Sequence, residues 1–280
     1  MRIDRIADDI YILMSDSYAQ VTCTVLTTPD GAILIDTMPF PAEAKQVLAF
    51  VESKLGPHSV RYIITTHYHA DHIYGAYLFE DALMVAQDEC YRNLVHFGQA
   101  QLDRAKHETP ALAPVVLRLP DMTFQREMHL HVSHRHLHLF HTPGHSPDAI
   151  SIHIPEEKAV IAGDTVMPVP YIVGGNYAQM RQSLLAIRAL KPSFVVQGHG
   201  DVLLRGEVNE SIDSSVAYLS AIVEKVRALV ERGQPAARLK SIDIEACGKS
   251  RIPLDGLVGK LHMENLLALY REFNKQKPSA

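Results

Sequence analysis

The sequence predicts an α/β fold in which two β-sheets carry helical outer layers. Three observations lead there. Short apolar runs bounded by Gly, Pro or Asp recur along the first 200 residues, as strands do. Segments with apolar residues at helical spacing fall between and after those runs. After Gly206 two long segments carry helical periodicity. Strands with helices interleaved and outside bury their apolar faces best as layers.

Taken in order, Ile10-Tyr11-Ile12-Leu13 and Val21 to Leu26 read as strands, and Pro29-Asp30-Gly31 is a hairpin turn before the run Ala32 to Ile35. Residues 42 to 54 place Ala44, Val47, Leu48 and Val51 on one helical side. A strand over 61 to 66 follows, then a short helix near 73 to 79 and a strand near 83 to 86. Residues 87 to 108 read as helix and the proline-bearing 109 to 120 as loop. Strands return over 122 to 163, with turns at Ser133-His134 and Pro155-Glu156-Glu157. A helix over 179 to 190 and a strand over 194 to 197 complete a first unit of residues 1–205. In the extension 206–280, residues 207 to 232 and 255 to 274 are helical, whereas 236 to 248 stay ambiguous. This extension would cap the sandwich, lie over the functional site or form the face of a homodimer.

Chemistry concentrates at strand ends. His67-Tyr68-His69-Ala70-Asp71-His72 follows the run Tyr62-Ile63-Ile64 and gathers three imidazoles and a carboxylate. Neutral imidazole and carboxylate are the natural ligands of zinc and similar divalent ions. Three further apolar runs end in Thr142-Pro143-Gly144-His145, Ala162-Gly163-Asp164 and Gln197-Gly198-His199, each candidate ligand beside a glycine. Seven candidate ligands result: His67, His69, Asp71, His72, His145, Asp164 and His199. A tetrahedral zinc takes three or four protein ligands, so seven suffice for two ions if one carboxylate bridges. Zinc is the expected metal, with iron or manganese as alternatives.

In these motifs and their order the chain resembles the metallo-β-lactamase superfamily, over about residues 10 to 205. The resemblance implies the four-layer αβ/βα sandwich of that family. It implies that His67, His69 and His145 hold a first metal, that Asp71, His72 and His199 hold a second, and that Asp164 bridges. Asp36, ending the run Ala32 to Ile35, matches an early aspartate of the family that steadies the ligand loop. The run Ile33 to Pro41, with Asp36-Thr37, also echoes Val160 to Pro170, with Asp164-Thr165.

Two ions sharing a water would lower its pKa and polarise a substrate oxygen, which is hydrolytic chemistry. Asp71 is the expected proton shuttle. The substrate is expected to be a small molecule carrying an ester, lactone or related activated bond. An aspartate at position 164 resembles glyoxalase II and the lactonases more than the zinc β-lactamases, although β-lactam hydrolysis stays open. The continuation Val166-Met167-Pro168 lacks the glycine- and arginine-rich stretch of glyoxalase II and the persulfide dioxygenases. Asp164 and His199 are 35 residues apart, with no inserted nuclease domain between them. An iron-dependent oxidoreductase on the same ligands is the alternative from another class. For the substrate pocket, Met38 and Phe40 would overhang the metals, and Tyr171, Asn176 and Tyr177 would offer donors to a substrate oxyanion. Tyr68, between two ligands, should point away from them.

The remaining histidines divide. His129, His131, His136 and His138 alternate with Leu130, Val132, Leu137 and Leu139, so they share the wetter face of a hairpin. His262 reads as packed or exposed on its helix. A 280-residue chain, 47% hydrophobic and 21% charged, is an ordinary globule. A net charge of −5 and a pI near 6.3 argue against a nucleic-acid partner. No apolar run is long enough to span a bilayer, so no membrane role is expected. The N-terminal residues lack the apolar region of a secretory signal. Cys23, Cys90 and Cys247 are scattered and odd in number, which points to a reducing cytoplasm.

Overall fold

Alternation along the strands dictates how the layers stack. In the computed structural model, which describes residues 1–276, thirteen strands form two sheets; the last four residues of the expected extension lie outside the described residues. The first sheet runs in sequence order through β1 (Arg2–Ala7), β2 (Ile10–Met14), β3 (Thr22–Thr28), β4 (Gly31–Ile35), β5 (Val60–Ile64), β6 (Leu83–Gln87) and β7 (Met122–Phe124). Its first four strands are antiparallel, and the pairings from β4 to β7 are parallel. Parallel neighbours require crossovers. Helix α1 (Pro41–Leu55) joins β4 to β5, and the short α2 (Ala70–Ile73) lies between β5 and β6. Between β6 and β7 run α3 (Asp88–Asn93) and α4 (Gln99–Glu108), joined by the π-helical turn Leu94–Gly98.

The second sheet contains β8 (Glu127–Val132), β9 (Arg135–His141), β10 (Ile150–Ile154), β11 (Ala159–Ile161), β12 (Phe194–Val196) and β13 (Leu203–Leu204), in the order β13-β12-β11-β10-β9-β8. Outside it pack α5 (Tyr177–Ala189), α6 (Val208–Glu231) and α7 (Val258–Lys275). Among the described residues no helix is long and apolar enough to cross a membrane.

Each strand sends alternate residues to different cores. On β4, Ile33 and Ile35 face the core between the sheets, with Ile64, Leu137, Leu139 and Ile152. Ala32 and Leu34 face the outer core shared with Val47 and Val51 of α1. The third core joins Val160 and Val195 of the second sheet to Leu184, Leu219 and Leu266 of α5, α6 and α7. Burying each such aliphatic side chain contributes roughly 1.5–3 kcal/mol. The C-terminal helices therefore share an apolar core with the sandwich.

A buried polar network fixes α7. His262 Nε2 donates to the Ile242 carbonyl (2.9 Å), which leaves Nδ1 to accept from the Tyr218 hydroxyl (2.9 Å). Asn265 donates to the Pro170 carbonyl (2.7 Å) and accepts from the Ile172 amide (2.9 Å). Helix α7 is thus tied both to α6 and to the loop carrying Tyr171. The ambiguous segment 236 to 248 contains the two 3₁₀ turns Ala236–Ser241 and Glu245–Cys247.

Lys249 is an exception to the apolar interior. Its ammonium is buried against α6, donates to Ser215 Oγ at 2.9 Å, and is pushed down to about 8 by burial. A lysine held below its unfolded value binds fewer protons folded than unfolded between about pH 8 and 10.5, so this group's contribution to stability rises across that window. Below it, burying the charge costs up to about 3 kcal/mol. Lys249→Met is expected to raise Tm at pH 7, with the gain shrinking above about pH 8 and gone only past about pH 10.5. A gain independent of pH would mean that burial of the charge is not its source.

Candidate metal centre

Four strands of both sheets end along one edge of the sandwich, and there the seven candidate ligands meet. Past β5, the segment Thr65 to His69 leads into α2, which carries Asp71 and His72. Past β9 comes His145, past β11 a 3₁₀ turn holds Asp164, and past β12 comes His199. Two glycines permit this crowding. A Cβ on Gly198 would lie 1.9 Å from Asp164 Oδ1, and Gly163, at φ +49°, would press a Cβ to 2.8 Å from Thr66. The edges of the two sheets are fastened beside the site by Thr22, whose amide and hydroxyl donate to the carbonyls of Gly198 (2.9 Å) and Gln197 (2.6 Å).

The donors form two groups. His67 Nε2 and His145 Nε2 lie 3.0 and 2.9 Å from His69 Nδ1, and Asp164 Oδ2 lies 3.3 Å from His145 Nε2. Opposite them, His199 Nε2 is 3.3 Å and His72 Nε2 3.8 Å from Asp71 Oδ2. Asp164 belongs to both groups: its Oδ1 faces His72 Nε2 at 3.4 Å, and its Oδ2 faces His199 Nε2 at 3.5 Å. Around a tetrahedral zinc with Zn–N of about 2.0–2.1 Å, ligand nitrogens stand roughly 3.3 Å apart. The observed spacings are of that size.

Tautomers decide what these rings can do. His199 Nδ1 donates to the Ala19 carbonyl (2.9 Å), His145 Nδ1 to the Tyr171 carbonyl (2.9 Å) and His72 Nδ1 to Asp36 (2.8 Å). Thr66 spends its hydroxyl proton on Asp36 (2.7 Å), so its oxygen accepts from His67 Nδ1 (3.0 Å). All four rings are therefore fixed with Nε2 turned inward, and a neutral ring in that orientation presents a lone pair there. His72 Nε2 and Asp164 Oδ1 are buried without a hydrogen-bond partner. Unpartnered buried polar atoms are costly unless something else satisfies them. The donor set fits two divalent cations, for which Asp164 would be the shared ligand.

The electrostatics agree. Burial, reinforced by neighbouring imidazoles, pushes His67 well down and His69 down to about 3, so both are neutral and suited to ligation. Burial also lowers His145. Burial disfavours the charged forms of His72 and His199 as well, but the surrounding carboxylates outweigh it, holding His72 well up and His199 up to about 10. Asp71 and Asp164 are held down despite their burial, chiefly by His72 and His199. The second group thus sits in a field that favours positive charge.

Comparison with known proteins places the chain. The model of the metallo-beta-lactamase superfamily matches residues 18–199. The chain belongs to that superfamily. It is 26% identical over 176 residues to a hydroxyacylglutathione hydrolase of Rhodopseudomonas palustris, covering 62% of this chain and 61% of that protein. It is 24% identical over 238 residues to a linear primary-alkylsulfatase of a Pseudomonas species, covering 70% and 45%. The chain thus spans between about half and three fifths of these relatives. A solved metallo-beta-lactamase family protein from Thermus thermophilus superposes with a TM-score of 0.69 at 19% identity, over 94% of both chains. The two-sheet αβ/βα sandwich is that of the metallo-beta-lactamase fold.

Within this fold, Asp36 holds the ligand loop. One carboxylate oxygen accepts from the Thr66 amide (2.8 Å), and the other accepts from the Thr66 hydroxyl and His72 Nδ1. Asp36 itself sits at φ +62°, a left-handed conformation that aspartate tolerates. Asp36→Ala is expected to weaken the ion held by His72 about 10- to 100-fold, the usual effect of losing such a partner. Competition with a chelator, followed by metal analysis, measures this; unchanged retention of both ions would show that His72 is oriented without it.

A cavity of about 360 Å³ opens over the ligands. Tyr171 is on its wall, its hydroxyl donating to Glu264 of α7 at 2.8 Å. The other four pocket expectations are corrected. Met38, at φ +71°, turns wholly into the outer core beneath α1. Phe40 packs edge-on against Tyr18 at 6.1 Å and against that same core. Asn176 caps α5, accepting from the amides of Ala178 and Gln179 (both 3.0 Å). Tyr177 stacks edge-on with Phe273 at 6.5 Å, outside the cavity. Tyr68 packs against the outer core.

Sequence reasoning missed the opposite wall: Tyr18 from the β2–β3 loop, Leu257 at the N-cap of α7, and Lys260, Leu261 and Glu264 within that helix. The α7 residues recur at intervals of three, one and three, a helical face that signals a common environment. Tyr18 has no such signal. Asp148 was also missed; buried, it accepts from the Tyr68 amide (2.7 Å) and the Ser146 hydroxyl (2.6 Å), tying the loop of His67 and His69 to that of His145. Burial pushes its carboxyl up to about 6.

Proposed function

We propose that this protein is a dinuclear, zinc-dependent hydrolase that cleaves an ester, lactone or thioester bond of a small molecule. The observation that carries this reading is the convergence of seven donors with Asp164 shared between the two groups. The ions, when bound, supply an activated water and a Lewis acid for the scissile group. The chain's own residues do the rest. His67, His69 and His145 form one half of the cradle and His72 and His199 the other, with every ring but that of His69 locked by the hydrogen bond behind it. Asp71 lies at the cavity wall and is held as a carboxylate, so it accepts the proton of the attacking water and passes it to the departing atom. Tyr18 keeps its proton, its hydroxyl pushed up to about 12 by the charge of Asp71 and by burial, and so serves as a donor to a substrate oxyanion. Tyr171 is likewise held up by burial and by Glu264.

Thioesters enter this reading because a relative is named a hydroxyacylglutathione hydrolase; sulfate esters enter the test because another is named an alkylsulfatase. The test is a hydrolysis screen over lactones, aryl esters, thioesters, phosphoesters, sulfate esters and β-lactams, with metal content measured on the same sample. Turnover of a carbonyl ester, lactone or thioester with two zinc ions per chain is expected. Predominant iron with oxygen consumption would overturn the hydrolase reading, and turnover confined to sulfate esters or β-lactams would overturn the substrate class.

A further inference from the structure

Away from the metal centre, the hairpin β8–β9 carries a ladder of imidazoles. Alternation sends Val132, Leu137 and Leu139 into the core between the sheets. The opposite face takes Glu127, His129 and His131 from β8. The antiparallel register sets His129 against His138 and His131 against His136, and sets His153 of β10 against His138 from the other side. The rings pair face to face: His129 and His138 are 4.6 Å apart at 9°, and His131 and His136 are 4.5 Å apart at 6°. The outer helical layer packs on this sheet only as far as Phe140, so the ladder stays open to solvent.

The donor atoms are close enough to share an ion. His129 Nδ1 lies 2.8 Å from His136 Nε2, and His138 Nε2 lies 3.1 Å from Glu127 Oε2. These spacings match the 2.9–3.0 Å between ligand nitrogens of the main centre. One donor each from Glu127, His129 and His138 falls within 4.8 Å of the others. A merely solvated strand face needs no imidazoles: β-branched residues suit it better.

We propose that Glu127, His129 and His138, with His136 beside them, form a second, surface site for a borderline divalent transition ion. Two or three imidazoles and one carboxylate suit zinc and, by the usual order of affinities, copper(II) more strongly. The site is independent of the hydrolytic centre.

The test is equilibrium dialysis of the full-length protein against zinc, with metal counted per chain. The wild type is expected to hold two tightly bound ions and a third, weaker one. The double variant His129→Gln/His138→Gln should keep two and lose the third, with hydrolytic turnover unchanged. Glu127→Gln, which removes no ring from the ladder, should weaken the third ion at least tenfold and guards against a folding defect in the double variant. Copper(II) added to the zinc-loaded wild type should show nitrogen couplings in its electron paramagnetic resonance spectrum. Only two ions in the wild type at millimolar zinc, or a third that persists in the variants, would overturn the proposal.

Discussion

Asp164→Ala is expected to abolish turnover, by on the order of 10³-fold or more, and to reduce bound metal from two ions to one or none. This carboxylate lies 3.3–3.5 Å from His145, His72 and His199 and is almost completely buried. Removing it would take one donor from each group and, with two ions bound, the anion shared between them. A metal's share of transition-state stabilisation is several kcal/mol, and each 1.4 kcal/mol is about tenfold in rate. The substitution should spare the fold, because Asp164 Oδ1 has no hydrogen-bond partner to lose. Metal analysis after dialysis against a weak chelator, alongside circular dichroism, measures this. Retention of two tightly held ions in the variant would show that Asp164 neighbours the ions without joining them.

The convergence of the seven side chains was legible in sequence because each follows a strand whose apolar run is unambiguous. Apolar Phe194-Val195-Val196 can only be an interior strand, so Gly198-His199 must lie at its end. Segments whose burial is shared with distant parts of the chain were harder to read. Strand β1 was missed because Arg2-Ile3-Asp4-Arg5 is charged and lies at a sheet edge, where only pairing with β2 makes it a strand. Strand β13, two residues long, has no pattern to read.

Pocket walls failed for a different reason. A loop position fixes where a residue is, not where its side chain points. Met38 and Tyr177 sit near the metals in sequence terms, yet one turns under α1 and the other toward α7. The true wall comes partly from α7, about 90 residues beyond Tyr171, through contacts such as Tyr171 to Glu264. No local pattern encodes such a meeting. It also answers what the C-terminal extension does: it caps the sandwich and lines the cavity at once.

Asp71 separates chemistry from metal binding. Its Oδ2 faces His199 and His72, while the side chain also borders the cavity, so one carboxylate touches both the metal cradle and the space for substrate. Asparagine keeps the shape and one coordinating oxygen but cannot accept and return a proton. Asp71→Asn is therefore expected to retain most of its metal and lose turnover by about 10²–10⁴-fold, the usual contribution of a positioned general acid or base. The loss should depend on the leaving group. An aryl ester with an acidic phenol departs without protonation and should suffer least; a poor leaving group needs the proton and should suffer most. Turnover measured across esters of graded leaving-group pKa, with metal content determined on the same variant, gives the slope. A loss that is uniform along the series and proportional to missing metal would reduce Asp71 to a ligand. A loss that steepens as the leaving group worsens, at constant metal content, identifies the carboxylate as the group that moves the proton.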